Sequence, residues 1–145
     1  MYELRAFGDP HLLGVDGSPV TSITRQTKRF ALLIFLACDG LKGPHRREEL
    51  LSVFWPEADP SLGRNSLRQT LHALRQELGP GFLLGNGSDE LWVKESDLRC
   101  DVASFTQAIA QGHSERALQE YRADFLLGFE VRGCPEFGAW ADQRR

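Results

Sequence analysis

Between Ser61 and Gly79 the sequence SLGRNSLRQTLHALRQELG places Leu67, Leu71, Leu74 and Leu78 at successive intervals of four, three and four. That spacing lines one stripe of an α-helix, and an aliphatic stripe of this length has to lie against a core. At 100° per residue, Arg64, Asn65, Arg68, His72 and Arg75 fall on the neighbouring arc, within about one third of the helix circumference. No Asp or Glu interrupts residues 60 to 76. A helix buried along leucines and edged by arginines and amides carries the side chains that read phosphates and base edges in a DNA major groove. A solvated surface helix with a basic edge has the same pattern, so the flanking segments have to decide between the two.

Upstream, YELRAF, HLLGV and VTSI are short alternating or apolar runs separated by GDP and DGSP. This punctuation predicts a three-stranded antiparallel β-meander with its sharpest turn at Asp16-Gly17. Residues 24 to 39, TRQTKRFALLIFLACD, open basic and then become apolar on nearly every side, which predicts a buried helix stopping at Gly40. Arg25, Lys28 and Arg29 lie on its first turns, where the helix dipole does not favour a cation. A phosphate is one partner for Arg25 and Lys28; solvent is the other.

RREELLSVFWPEADP then predicts a helix from about Arg46 to Trp55, with Glu48 and Glu49 suiting its first turns and Pro56 closing it. Asp59 is placed as an N-cap and Pro60 as the first helical residue of the arginine helix. Two helices, a tight connection and a basic second helix make a helix-turn-helix. Beyond Gly79-Pro80-Gly81, FLLGNGSDELWV reads as two short strands around Gly85-Asn86-Gly87-Ser88, a hairpin in the position of a wing. The expected fold is thus an α+β winged helix: N-terminal β-meander, three helices and a C-terminal hairpin wing.

LLIFLACDG, RREELLSVFWPEADP, NSLRQTLHALRQELG and the closing hairpin, in that order, resemble the OmpR-type winged-helix DNA-binding domain, and within it the version found in antibiotic-pathway transcriptional regulators. The resemblance covers about residues 2 to 95 and sets an expected domain of residues 1–95. It implies double-stranded DNA as partner, with RNA polymerase as a second, and the arginine helix in the major groove. Carried over by position, Arg64, Asn65, Arg68, Gln69, His72 and Arg75 become groove or phosphate contacts, and Arg46 and Arg47 become phosphate contacts. Two features depart from the family pattern. Arg46 stands where Ser or Thr often caps the helix, and an arginine cannot accept backbone N–H bonds. The wing carries Asp89 and Glu90 and no arginine.

From Arg99 onward, RCDVASFTQAIAQGHSERALQEYRADFLLGF predicts helices around Val102 to Gln111 and Ser114 to Tyr121, broken at Gly112. Phe105, Ile109, Ala117 and Tyr121 are expected to face each other across this hairpin. DVASF, YRADFLLGF and GAWADQRR are similar to the opening of the bacterial transcriptional activator domain, an array of tetratricopeptide-like helices. Residues 96–145 are therefore expected to be the all-α start of such a domain. Because a helical pair of this kind needs stacked neighbours, further domains of the same chain are expected.

Net charge tests the DNA reading. The total is −3, yet residues 1 to 80 hold ten Lys and Arg against nine Asp and Glu, whereas residues 81 to 145 hold seven against eleven. The basic character is local, and phosphate neutralisation depends on local charge. The apolar run Phe30 to Cys38 is too short to span a bilayer, and no signal peptide opens the chain, so a cytoplasmic protein without membrane association is expected. Cys38, Cys100 and Cys134 show no Cys-x-x-Cys pairing and the four histidines no ligand spacing, so reduced thiols and no metal or cofactor are expected. An enzyme is not expected, since no phosphate-cradling glycine loop, G-x-S-x-G elbow or His-Glu-x-x-His is present. The alternative kept beside DNA binding is a protein-interaction module on a winged-helix frame, which the acidic tail and the arginine-free wing favour.

Overall fold

Apolar residues on one face of each short element draw the chain around a shared core. The computed structural model describes residues 1–39, 44–86 and 89–145. Strands β1 (Tyr2–Arg5) and β2 (His11–Leu13) pair antiparallel, with Leu4 opposite Leu12 and both fully buried. The third strand of this sheet is not VTSI. Leu13 and Pro19 form only a lone bridge, and Thr21–Thr24 is a short helix, α1. Pro19 has no N–H to extend a ladder. After Val20 donates to the Leu12 carbonyl, Ile23 and Thr24 turn their N–H groups back onto the Val20 carbonyl.

Helix α2 (Thr27–Cys38) follows a break at Arg25 and Gln26, so the buried helix begins three residues later than its sequence suggests. Phe30 to Leu36 are buried without interruption, as an apolar run with no polar face requires. The expected stop at Gly40 lies outside the described residues. Strand β3 (His45–Arg46) runs directly into α3 (Arg47–Phe54), which buries Leu50, Val53 and Phe54. Arg46 occupies the N-cap and makes no side-chain capping bond there.

Helix α4 (Pro60–Leu78) starts as the sequence predicts, with the Asp59 carboxylate accepting the Ser61 N–H at 3.1 Å and Pro60 in the first turn. Leu67, Leu71, Leu74 and Leu78 are all buried. So is Gly63, where an added Cβ would meet Leu51 at 3.4 Å and Trp55 at 3.8 Å. These are ordinary van der Waals distances, so the first turn of α4 packs on the end of α3 with room for a methyl group. At the other end, Gly79 terminates the helix with φ +102°, a conformation strained for residues with a Cβ.

The hairpin β4 (Leu83–Asn86) and β5 (Glu90–Val93) pairs Leu83 with Val93 and Asn86 with Glu90. Gly87 and Ser88 of its expected turn lie outside the described residues. β3 adds to β5 antiparallel, giving the sheet order β3-β5-β4. The wing is therefore anchored to the residue that opens α3, and the Arg47 N–H donates to the Asp89 carbonyl at 2.8 Å.

The stretch beyond residue 95 is not wholly helical. Leu98–Cys100 forms β6, which pairs parallel with β1 and completes the order β2-β1-β6. Leu98 and Cys100 point inward and Arg99 outward, the period of two that a strand imposes. Helices α5 (Asp101–Ala110) and α6 (Ser114–Glu120) form the expected hairpin around Gly112. Phe105 and Tyr121 meet with ring centroids 5.9 Å apart. Ile109, however, is 54% exposed, and Ala108 takes the buried position with Ala117, because the buried stripe of α5 runs one residue earlier than the Phe105-Ile109 spacing suggests.

Residues 124–127 then return along β1. The Gly8 N–H donates to the Asp124 carbonyl, and the Leu126 N–H donates to the Ala6 carbonyl, each at 2.8 Å. Helix α7 (Pro135–Gln143) packs on α3. Its Phe137 meets Phe54 at 5.6 Å, and Trp140 meets Phe35 at 4.9 Å, so α2, α3 and α7 share one aromatic cluster. Phe125, Leu126, Phe137 and Ala141 lie in the same buried core as the leucines of α4.

Candidate nucleic-acid interface

With Leu67, Leu71, Leu74 and Leu78 buried, α4 turns its polar arc outward. Arg64, Asn65, Arg68, Gln69 and His72 are exposed, and Arg75 is half-buried. Arg46 is exposed at the N-cap of α3, and Arg47 is half-buried in its first turn. The turn between α3 and α4 brings Arg47 up to the face of α4. Burial lowers the Arg47 pKa from its ordinary value, and the positive charges of Arg75 and Arg68 lower it further. Arg47 Nε is buried and has no hydrogen-bond partner among the described residues. Among the described residues, none of Arg47, Arg64, Arg68 and Arg75 is ion-paired with a carboxylate, and Glu49 on α3 is directed to His45. Like charges gathered without a counter-ion make a surface suited to an anion.

The remaining predicted contacts are spread further. Arg25 is exposed at the C-terminal end of α1. Lys28 is half-buried with its Nζ 5.3 Å from the centre of the Trp55 ring, a cation–π contact that joins α2 to the end of α3. Arg29, beside it, donates to the Ser22 carbonyl. Lys28 and Arg29 thus have partners within the protein, whereas the Arg25 side chain has none among the described residues. On the wing, Asp89 is exposed and its carbonyl is tied to Arg47.

A second polar cluster lies outside this face. His45, buried at the start of β3, lies with Nδ1 3.0 Å from Glu49 Oε1 and Nε2 3.5 Å from Asp39 Oδ2. Asp39 also accepts the Trp140 indole N–H at 3.2 Å and an Arg144 N–H at 2.5 Å. Asp39, His45 and Glu49 present three metal-type ligand atoms within 4.8 Å of one another. The Arg144 cation already neutralises Asp39, so the group works as an ion-pair network linking α2, β3, α3 and α7. The signal in sequence is only the pair His45 and Glu49, four residues apart.

Among the described residues, no helix is long and apolar enough to cross a membrane. No family model matches the chain, and no curated protein matches it. Among solved structures, EmbR of Mycobacterium tuberculosis, determined in complex with a low affinity phosphopeptide, is similar, with 23% sequence identity and a TM-score of 0.68. The likeness covers 98% of this chain and 41% of that one, so this chain spans about two fifths of its length. It extends across the hairpin α5–α6 and helix α7 as well as the part that precedes them, and what it shows is the fold: a mixed α/β, winged-helix-like chain.

Proposed function

We propose that the chain binds double-stranded DNA with sequence preference, as part of a bacterial transcriptional regulator, with α4 in the major groove. The observation that carries this reading is the cluster in which Arg68 and Arg75 repel Arg47, with Arg64 exposed on the same helix and none of the four ion-paired with a carboxylate among the described residues. Such a charge arrangement is costly in the free protein and favourable against a phosphate backbone. On this reading Arg64, Asn65, Arg68, Gln69, His72 and Arg75 face the groove, and Arg46, Arg47, Arg25 and Lys28 face backbone phosphates. The frame is the OmpR-type winged helix over residues 1–95. Residues 96–145 open a tetratricopeptide-like activator region, and the protein acts in the cytoplasm, with RNA polymerase as a further partner.

The test is fluorescence anisotropy with random and selected duplexes at low and high salt. DNA binding predicts a steep loss of affinity with salt and tighter binding to the selected site. No binding to any duplex at low salt, from a chain shown to be folded, would leave the protein-interaction module as the reading.

A further inference from the structure

Cys38 ends α2 and Cys100 ends β6, and their sulfurs lie 3.8 Å apart although 62 residues separate them. Both are 5% exposed. We propose that Cys38 and Cys100 form a peroxide-sensitive dithiol, in which Cys100 is oxidised first and Cys38 then closes a reversible intramolecular disulfide. The proposal is independent of DNA binding.

Geometry gives the two sulfurs different roles. Cys100 lines a cavity of about 1200 Å3, bounded also by Leu36, Ala37, Trp92, Leu98 and Ala103, whereas Cys38 does not line it. A small neutral oxidant such as hydrogen peroxide reaches Cys100 by this route. Either thiol can donate in this contact; with Cys38 as the donor the Cys100 pKa is lowered and that of Cys38 raised, while burial opposes ionisation at both. Cys100 also sits at the N-cap of α5, where the Ala103 N–H favours the thiolate and the neighbouring Asp101 carboxylate opposes it. Cys134 has neither a thiol neighbour nor a place on that cavity among the described residues. It is buried, its thiol donates to the Phe54 carbonyl at 3.4 Å, and burial raises its pKa.

The chemistry balances with peroxide as the two-electron oxidant. The Cys100 thiolate attacks one peroxide oxygen, an S–O bond forms, the O–O bond breaks, and the departing hydroxide takes a proton to become water. Cys38 then loses its proton and attacks the Cys100 sulfur of the sulfenic acid. The S–S bond forms, the S–O bond breaks, and a second water leaves. Closing to a disulfide bond of about 2.05 Å needs the sulfurs to approach by about 1.8 Å, a movement within the reach of side-chain rotation. The bridge encloses α3, α4 and the wing in one covalent loop and so constrains the unfolded chain.

The experiment treats the folded full chain with hydrogen peroxide, blocks free thiols, and maps peptides without reduction. The expected result is a Cys38–Cys100 linked peptide, reversed by dithiothreitol, with Cys134 still alkylated and a raised thermal midpoint in the oxidised protein. In C38A, dimedone should label Cys100; in C100A, Cys38 should stay unlabelled at the same exposure, with folding of both checked by circular dichroism. The wild-type peptide map needs no substitution and stands alone if either variant fails to fold. Preferential oxidation of Cys134, dimedone labelling of Cys38, or a linked peptide that forms only in denaturant would each overturn the proposal.

Discussion

The Asp101 carboxylate accepts the backbone N–H of Ala6 at 2.9 Å, joining the end of the first strand to the first residue of a helix 95 residues later. The same carboxylate takes the N–H groups of Phe7 and Val102. One buried acid thereby satisfies three backbone donors where β1 ends and α5 begins, and a donor left without a partner there costs about 1–3 kcal/mol. Asp101→Ala is expected to lower the unfolding free energy by at least that amount in urea titration; a change within the range of exposed-site controls would refute the role. The sign of its pH dependence follows from burial, which raises the Asp101 pKa above 3.8 against the pull of its backbone donors. The folded chain holds this proton more tightly than the unfolded chain. The resulting stability is fully present below pH 3.8 and is lost as pH rises through the folded pKa. The stability difference between wild type and Asp101→Ala should therefore shrink with rising pH in that window.

Leu71 and Leu74 are buried in the middle of α4. Leu71→Ala and Leu74→Ala are each expected to cost about 2–5 kcal/mol, read as a lowered thermal midpoint. Any loss of DNA affinity should follow the loss of folded protein.

Arg46 and Arg47 stand where α3 begins, beside the arc of α4. Replacing both with Ala should weaken all duplexes by a similar factor and flatten the dependence of affinity on salt, as loss of phosphate contacts does. Because Arg75 and Arg68 repel Arg47, Arg47→Ala should not lower the thermal midpoint. A drop there, or a change in base preference at constant salt slope, would contradict the assignment.

Arg68 is exposed in the centre of the basic arc. If its guanidinium pairs with guanine O6 and N7, Arg68→Ala should cost about 1–3 kcal/mol on a selected site and much less on random duplex. Equal losses on both, with unchanged melting, would make it a phosphate contact shared with Arg47.

Phe137 packs against Phe54, Phe129 and Trp140 and is almost fully buried. Phe137→Ala is expected to cost about 3–5 kcal/mol and to lower a single cooperative transition, seen alike by helical circular dichroism and by tryptophan fluorescence. Two separated transitions would show that α7 unfolds apart from the helix-turn-helix.

What the sequence determined by itself was whatever is set by local periodicity and punctuation. The leucine spacing gave the buried stripe of α4, Asp59-Pro60 gave its start, and the position of Arg64, Asn65, Arg68, His72 and Arg75 on one arc followed from helix geometry alone. The hairpin β4–β5 and the Gly112 break were legible for the same reason. Tertiary structure decided what depends on partners distant in the chain. VTSI has strand-like composition, but the turn after Val20 leaves it no ladder, and the third strand comes instead from Leu98–Cys100, a pairing that no local pattern announces. The approach of Arg47 to Arg68 and Arg75 depends on how α3 crosses α4. Cys38 and Cys100 meet because β6 joins β1 beside the end of α2, and Asp39 meets Trp140 because α7 folds back over α3. Hydrogen bonds and close packing across such separations are fixed only once the whole core has closed.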